Sequence, residues 1–344
     1  MNPRRLRPGR WQPPVAPADQ GRGPLTRALV PVDRLATGGD GPEDVVVDAA
    51  GRLLTGLADG RVVRIDPTTG ERVVLARTGG RPLGLDPCED GSVLVADHDR
   101  GLLRVDAAGG VEVLADVHGG RRITFASNVA HADDGTIWCT TSTSRFDLDH
   151  HEGDLLEHSR TGRLLQRDPD GAVRTLVDGL AFANGLVRTP DGSSLLVAET
   201  GAYRVSRLRL TGPGAGRLEP WVDNLPGFPD NLSLGSDGLV WVAVAAPRQA
   251  TLDRLLPLPG IVRTVAWALP PALRPGPADV AWALAFDLDG RVVHDLRSTT
   301  AGYRFVTGVA ERDGRLYLAS LHEREVLVAT VGAGADLVAT EAAP

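Results

Sequence analysis

Gly238-Leu239-Val240-Trp241-Val242 is a turn glycine running straight into an apolar strand, and the chain repeats that pattern. The other copies are Gly51-Arg52-Leu53-Leu54, Gly91-Ser92-Val93-Leu94-Val95, Gly135-Thr136-Ile137-Trp138, Gly192-Ser193-Ser194-Leu195-Leu196-Val197 and Gly314-Arg315-Leu316-Tyr317-Leu318. In chain order the glycines are spaced by 40, 44, 57, 46 and 76 residues. Periods of about 40–50 residues mark propellers built from four-stranded blades. Around each copy lie short hairpin partners, such as Leu53–Leu57 joined through Ala58-Asp59-Gly60 to Arg61–Ile65. An Asp-Gly turn between alternating strands is a hairpin signal, so each copy is an up-and-down meander and not a βαβ unit. The expected fold is all-β: a six-bladed β-propeller with four-stranded blades.

The expected domain organisation is an extended Pro- and Arg-rich tail over 1–30 anchored by Trp11, a single propeller over 31–335 and a C-terminal tail over 336–344. Two stretches interrupt the repeat. Residues 142–160 carry Phe146, His150, His151 and His158. Residues 249–284 have helical spacing and are expected to form a helical insertion, with Leu255, Leu256, Leu258, Ile261 and Trp267 as an apolar lid. Long loops on a compact scaffold are more often binding features than linkers.

The 344 residues carry 37 basic and 44 acidic side chains, a net charge of −7, which disfavours nucleic acid or an anionic membrane as the main partner. Cys88 and Cys139 have no metal-type spacing and read as free thiols. No transmembrane run or secretory leader is visible, so the expected compartment is the cytoplasm. Nothing in the sequence sets the oligomeric state.

Eight residues before each turn glycine, or seven in the third copy, stand Glu43, Leu83, Asn128, Asn184, Asp230 and Val306. Equivalent positions in a propeller share one height on the axis. Four of these six offer oxygen, and Asn231 follows Asp230 directly. Two carboxylates and two or three amides suit one calcium ion, whereas zinc prefers His and Cys. The expected metal ligands are therefore Glu43, Asn128, Asn184, Asp230 and Asn231. Leu83 and Val306 would give the site two apolar walls.

Phe182-Ala183-Asn184-Gly185, Thr189-Pro190-Asp191-Gly192, Val197-Ala198-Glu199-Thr200 and Pro226-Gly227-Phe228-Pro229-Asp230-Asn231 resemble the strictosidine-synthase-like propellers, above all the adipocyte plasma membrane-associated protein branch. Paraoxonases and the SMP-30/gluconolactonase proteins are more distant relatives. The resemblance covers about 35–335. It implies that Glu43, Asn128, Asn184, Asp230 and Asn231 bind a catalytic calcium with Asp44 close by. It also implies departures. The strictosidine-type catalytic acid would fall near Val306-Thr307, where none exists, and the lactonase histidine would fall at Leu83. A second lactonase histidine falls at His98.

A calcium ion polarises a carbonyl, and a base must then activate water. Asp230 is the first candidate base, with Asp44 and His98 as further catalytic candidates and Glu199 as an alternative to a buried ion pair. His131, His294 and His322 read as structural or exposed. No Gly-x-Ser-x-Gly elbow or dinucleotide fingerprint appears. The expected function is a calcium-dependent hydrolase of lactones or aryl esters acting on a moderately apolar small molecule. The alternatives are a non-catalytic binding propeller with structural calcium and a strictosidine-type condensing enzyme or lyase.

Overall fold

The computed structural model describes residues 5–18, 23, 25–270 and 278–331. The repeated glycines stand at turns for a conformational reason. Gly51, Gly91, Gly135, Gly192, Gly238 and Gly314 all have positive φ, between 67° and 87°, where a Cβ is strained. In the first copy the turn closes by a hydrogen bond from the Gly51 amide to Asp48 O, and Asp48 Oδ1 accepts from the amides of Ala50 and Arg52. The sixth copy differs. Arg312 pairs directly with Arg315, so Asp313-Gly314 is a two-residue turn with both φ values positive.

These turns link antiparallel meanders. Among the described residues, four separate sheets have four strands each, taken in chain order; the first is Val46–Val47, Leu53–Gly56, Arg61–Ile65 and Arg72–Arg77. A larger sheet of eight strands consists of two such meanders. One runs Gly227–Leu234, Val240–Pro247, Ala281–Phe286 and Val292–Ser298. The other runs Val306–Arg312, Arg315–Ser320 and Glu325–Val331, and takes its outer strand from the opposite end of the chain. That strand, β1 (Thr26–Ala36), pairs antiparallel with Glu325–Val331, while its start pairs in parallel with Asp295–Arg297. Joining first and last strands closes the ring and removes an edge. β1 begins before the boundary expected at residue 30, and the expected tail over 336–344 lies outside the described residues.

The core lies between sheets. Leu196, Ala198 and Val205 of one sheet meet Val242, Trp282 and Phe286 of the next. Leu53, Val63 and Ile65 meet Tyr317, Ala319 and Val326 across the closure. Burying each such large side chain contributes about 1.5–3 kcal/mol. Cys88 and Cys139 are free thiols, and burial pushes the Cys139 thiol up to about 12.

Among the described residues, three α-helices stand above one end of the ring. Residues 142–160 supply α1 (His151–Glu157), and the second interruption supplies α2 (Ala250–Leu255) and α3 (Gly260–Trp267). The insertion expected over 249–284 is shorter than that. Ala281–Phe286 is a strand and Trp282 is fully buried within it, because its alternation belongs to the blade and not to the lid. Residues 5–18 run across the helices as a strap. Trp11 stacks on His158 with 4.2 Å between centroids, and Arg263 donates to Gly9 O and Leu156 O. Among the described residues no helix is long and apolar enough to cross a membrane.

Candidate metal centre and its cavity

Strand pairing, and not distance from the turn glycine, sets the height of each residue on the axis. The pairs Val46↔Leu54, Asp86↔Leu94, Ala130↔Trp138, Val187↔Leu196, Ser233↔Trp241 and Ala310↔Tyr317 are equivalent. Three residues before the first member of each pair stand Glu43, Leu83, Ser127, Asn184, Asp230 and Thr307, which form one ring. The next ring is Asp44, Gly84, Asn128, Gly185, Asn231 and Gly308. Eight residues before the glycine is the ring position in five copies, which puts Ser127 and not Asn128 there in the third, and it fails only in the sixth. Asn128 belongs to the second ring, and Val306 belongs to neither. The short Asp313-Gly314 turn shifts the sixth copy by one residue. Val306 instead packs in the core with Tyr303 and Leu316, so it forms no wall of the site. Thr307 takes the ring position and donates its hydroxyl to Glu43 O at 2.6 Å.

Glycine alternates with side chains in the second ring because the inner strands converge. A Cβ on Gly84 would lie 2.5 Å from Asn128 Cα, one on Gly185 would lie 2.6 Å from Asn231 Cα, and one on Gly308 would lie 2.8 Å from Asp44 Cα. The polar residues are linked across the axis. Asn128 Nδ2 donates to Asn231 Oδ1 at 2.9 Å, and Asn231 Nδ2 donates to Glu43 Oε2 at 3.1 Å. Asn184 Nδ2 donates to Asp230 Oδ1 at 2.5 Å. The five expected ligands are thus brought together, all buried. Glu43, Asn184 and Asp230 face a cavity, while Asn128 and Asn231 do not line it.

The electrostatics of this set are unbalanced. Burial raises the Glu43 carboxyl well above its ordinary value, and the carboxylates of Asp230 and Asp44 raise it further. Burial and Asp44 do the same to Asp230, against the hydrogen bond from Asn184. Asn184 Oδ1 is buried with no donor. Two desolvated carboxylates and an orphaned amide oxygen at one point are the complement of a hard cation. Among the described residues no three His, Cys, Asp or Glu side chains form a metal group, so any cation here relies on amide oxygens as well. Arg81, unforeseen from the sequence, lies buried beside Glu43 and opposes its shift; its Nη2 donates to Gly41 O at 2.7 Å. No local motif marks it, since only the fold carries it to the axis.

Other expected residues are placed elsewhere. Asp44 does not line the cavity, and both its oxygens accept backbone N–H groups, from Val45 at 2.9 Å and Leu85 at 3.1 Å. It ties neighbouring inner strands together, and burial raises its carboxyl to about 7. His98 does not line the cavity either. Its Nδ1 meets Asp99 at 2.7 Å and its Nε2 accepts the Leu148 amide at 3.1 Å, which consumes the ring in anchoring the 142–160 excursion. Both Glu199 oxygens are taken, by Arg204, Ser206 and the Ala181 amide, as in the ion-pair alternative. His131 pairs with Asp86, and His294 stacks on Trp241. His322 differs from expectation, because it lines the cavity together with His151.

The cavity holds about 420 Å³. Leu83, Phe125, Phe182, Phe228 and Phe305 wall it, and Leu155, Leu252, Leu255 and Leu269 roof it. Phe125, Phe182 and Phe305 each directly precede an inner strand and each has φ between 52° and 58°. In the sequence the matching signal is a phenylalanine two residues before four of the six ring positions: Phe125, Phe182, Phe228 and Phe305. The expected lid is corrected in part. Leu255 faces the cavity, but Leu258 and Ile261 point outward at 41% and 70% exposure, and Trp267 packs on Leu6 and Phe146.

The pattern of the SMP-30/gluconolactonase/LRE-like region matches residues 57–257, and that of the strictosidine synthase-like N-terminal region matches residues 27–65. Adipocyte plasma membrane-associated protein of Salmo salar is 32% identical over 81% of this chain and 73% of its own length. Strictosidine synthase-like protein 6 of Arabidopsis thaliana is 32% identical over 83% of this chain and 78% of its own length. Among solved structures, a gluconolactonase from Xanthomonas campestris aligns with a TM-score of 0.64 at 18% identity, covering 93% of this chain and 98% of that one. The calcium-binding protein regucalcin from Agrobacterium tumefaciens aligns with a TM-score of 0.62 at 15% identity, covering 89% and 95%. These two likenesses establish the propeller fold.

Proposed function

The chain belongs to the strictosidine synthase-like and adipocyte plasma membrane-associated branch of the SMP-30/gluconolactonase/LRE-like family, and from that membership we propose a six-bladed propeller hydrolase that opens lactones or aryl esters with one calcium ion on its axis. The observation that carries the reading is the floor of the cavity. There the buried carboxylates of Glu43 and Asp230 and the undonated Asn184 Oδ1 converge beneath aromatic walls. Glu43, Asn128, Asn184, Asp230 and Asn231 would hold the ion, with Asp44 bracing the strands from behind. Calcium supplies a Lewis acid for the carbonyl oxygen of a substrate. The four phenylalanines and Leu83 bind the apolar part of that substrate and exclude water, which strengthens the charges at the floor. Such walls favour an alkyl or aryl lactone over a polyhydroxylated sugar lactone.

A strictosidine-type condensation has less support, since Thr307 stands where an acid would be needed and its hydroxyl is spent on Glu43 O. The test uses chelator-treated protein given an aryl acetate and a panel of lactones, with and without calcium, beside Asp230→Ala. Turnover that returns with calcium and is lost in Asp230→Ala is expected. Calcium binding with no turnover on any of them would favour the binding propeller instead.

A further inference from the structure

We propose that the proton-transferring catalytic residue of this cavity is His151, carried by the lid helix α1 and not by the propeller floor. The inference rests on the hydrolase reading above. The floor carboxylates are poor candidates: Glu43 Oε2 and Asp230 Oδ1 already accept from Asn231 and Asn184, both oxygens of Asp44 behind them accept backbone amides, and a carboxylate that holds a cation is a poor proton acceptor. His151 lines the cavity, and its Nδ1 lies 2.8 Å from Leu148 O. A carbonyl oxygen only accepts, so Nδ1 carries the hydrogen and the lone pair of the neutral ring sits on Nε2. Among the described residues no hydrogen bond engages Nε2. The ring is boxed between two walls, 6.5 Å from the Phe182 centroid and 6.4 Å from that of Phe305. An oriented imidazole with a free Nε2 facing a largely apolar cavity is the arrangement of a general base. His322 also faces the cavity, but among the described residues no hydrogen bond orients its ring.

The step balances. As the water oxygen bonds to the carbonyl carbon, one water proton passes to Nε2. As the bond from carbonyl carbon to the alkoxy oxygen breaks, that proton passes from Nε2 to the departing oxygen. An acid and an alcohol result, and the imidazole returns to its neutral form. The seating of α1 then becomes part of catalysis. Glu157, at its end, is pinned by the Arg7 amide at 2.6 Å and by Arg145 Nη2 at 2.9 Å, and its carbonyl accepts the Gly9 amide.

The test compares His151→Gln with wild type and with His150→Gln, whose ring faces Asp147 and Trp267 outside the cavity. In the calcium-loaded protein, His151→Gln is expected to lower kcat for an alkyl lactone by roughly 10²–10⁴. Its calcium-induced melting shift should stay at the wild-type size, and His150→Gln should keep wild-type kcat. Independently of turnover, a long-chain alkyl lactam is expected to protect His151 from diethyl pyrocarbonate, read by peptide mass spectrometry. Wild-type kcat in His151→Gln, or His151 modification that the lactam does not slow, overturns this assignment and leaves the hydrolase reading standing. A wild-type protein that binds calcium but turns over no lactone or ester overturns both.

Discussion

Replacing Gly185 by alanine tests the ring geometry directly. The new Cβ would sit 2.4 Å from Leu232 N, 2.5 Å from Asp230 O and 2.6 Å from Asn231 Cα. All three are backbone atoms of the neighbouring inner strand, so no side chain can swing aside. Relief requires that strand to retreat by about the missing contact distance, roughly 1 Å, given carbon–carbon contact near 3.5 Å. Overpacking of a core by one methyl costs about 1–3 kcal/mol, and a rigid backbone neighbour puts this site at the upper end, about 3 kcal/mol. At about 2–4 °C per kcal/mol for domains of this order, the melting temperature should fall by roughly 6–12 °C. The displaced strand carries Asp230 and Asn231, so calcium affinity should fall at least about tenfold, the equivalent of 1.4 kcal/mol. Scanning calorimetry and calcium titration calorimetry measure both. Gly212→Ala is the control: it has open space and φ of 73°, and should cost only the 1–2 kcal/mol of a strained φ, with no effect on calcium. A Gly185→Ala protein that melts and binds calcium like wild type would refute the alternation of glycine and side chain in the second ring.

The metal-free protein should become less stable as pH rises. Glu43, Asp44 and Asp230 have folded values raised by burial, so the fold binds more protons than the unfolded chain from about pH 4 up through about 7, where Asp44 titrates, and stability falls across that window. Melting curves in chelator from pH 4.5 to 8 should show this decline, and saturating calcium should flatten it; a decline unaltered by calcium would count against a cation at the floor. Glu199→Ala should destabilise by about 3–5 kcal/mol in urea, by stranding Arg204 and the Ala181 amide, while leaving calcium affinity unchanged. Equal loss of calcium binding would place Glu199 in the site after all. Trp282→Ala removes a fully buried ring that also donates to Asp295 at 2.8 Å, and should cost about 3–5 kcal/mol by denaturant titration. A cost near zero would mean that the residue lies in the lid and not in the blade.

The meander and its repeat are legible in the chain because they depend on local rules. A glycine with positive φ after an aspartate forces the turn, and period-two alternation chooses the strand. The partner of the last meander is not legible in that way. β1 completes it from the other end of the chain, a pairing fixed by ring closure and by no local signal. Trp282 shows the same limit. Its neighbours read as part of a long insertion until strand pairing with Val292–Ser298 claims them.

The sequence by itself determined an all-β propeller with an oxygen-rich set of residues near its axis, since turn chemistry, alternation and residue type are written locally. Only the tertiary structure decided which of those residues share a height, because one residue more or less in a turn moves a strand's axial position without changing its pattern. Thus Thr307 replaced Val306 in the sixth copy, while strand pairing put Ser127 in the first ring and Asn128, its neighbour, in the second. Tertiary packing alone also placed Arg81 beside Glu43, spent His98 on the Leu148 amide and aimed His151 into the cavity, because contacts between blades and lid depend on distances that no stretch of chain encodes.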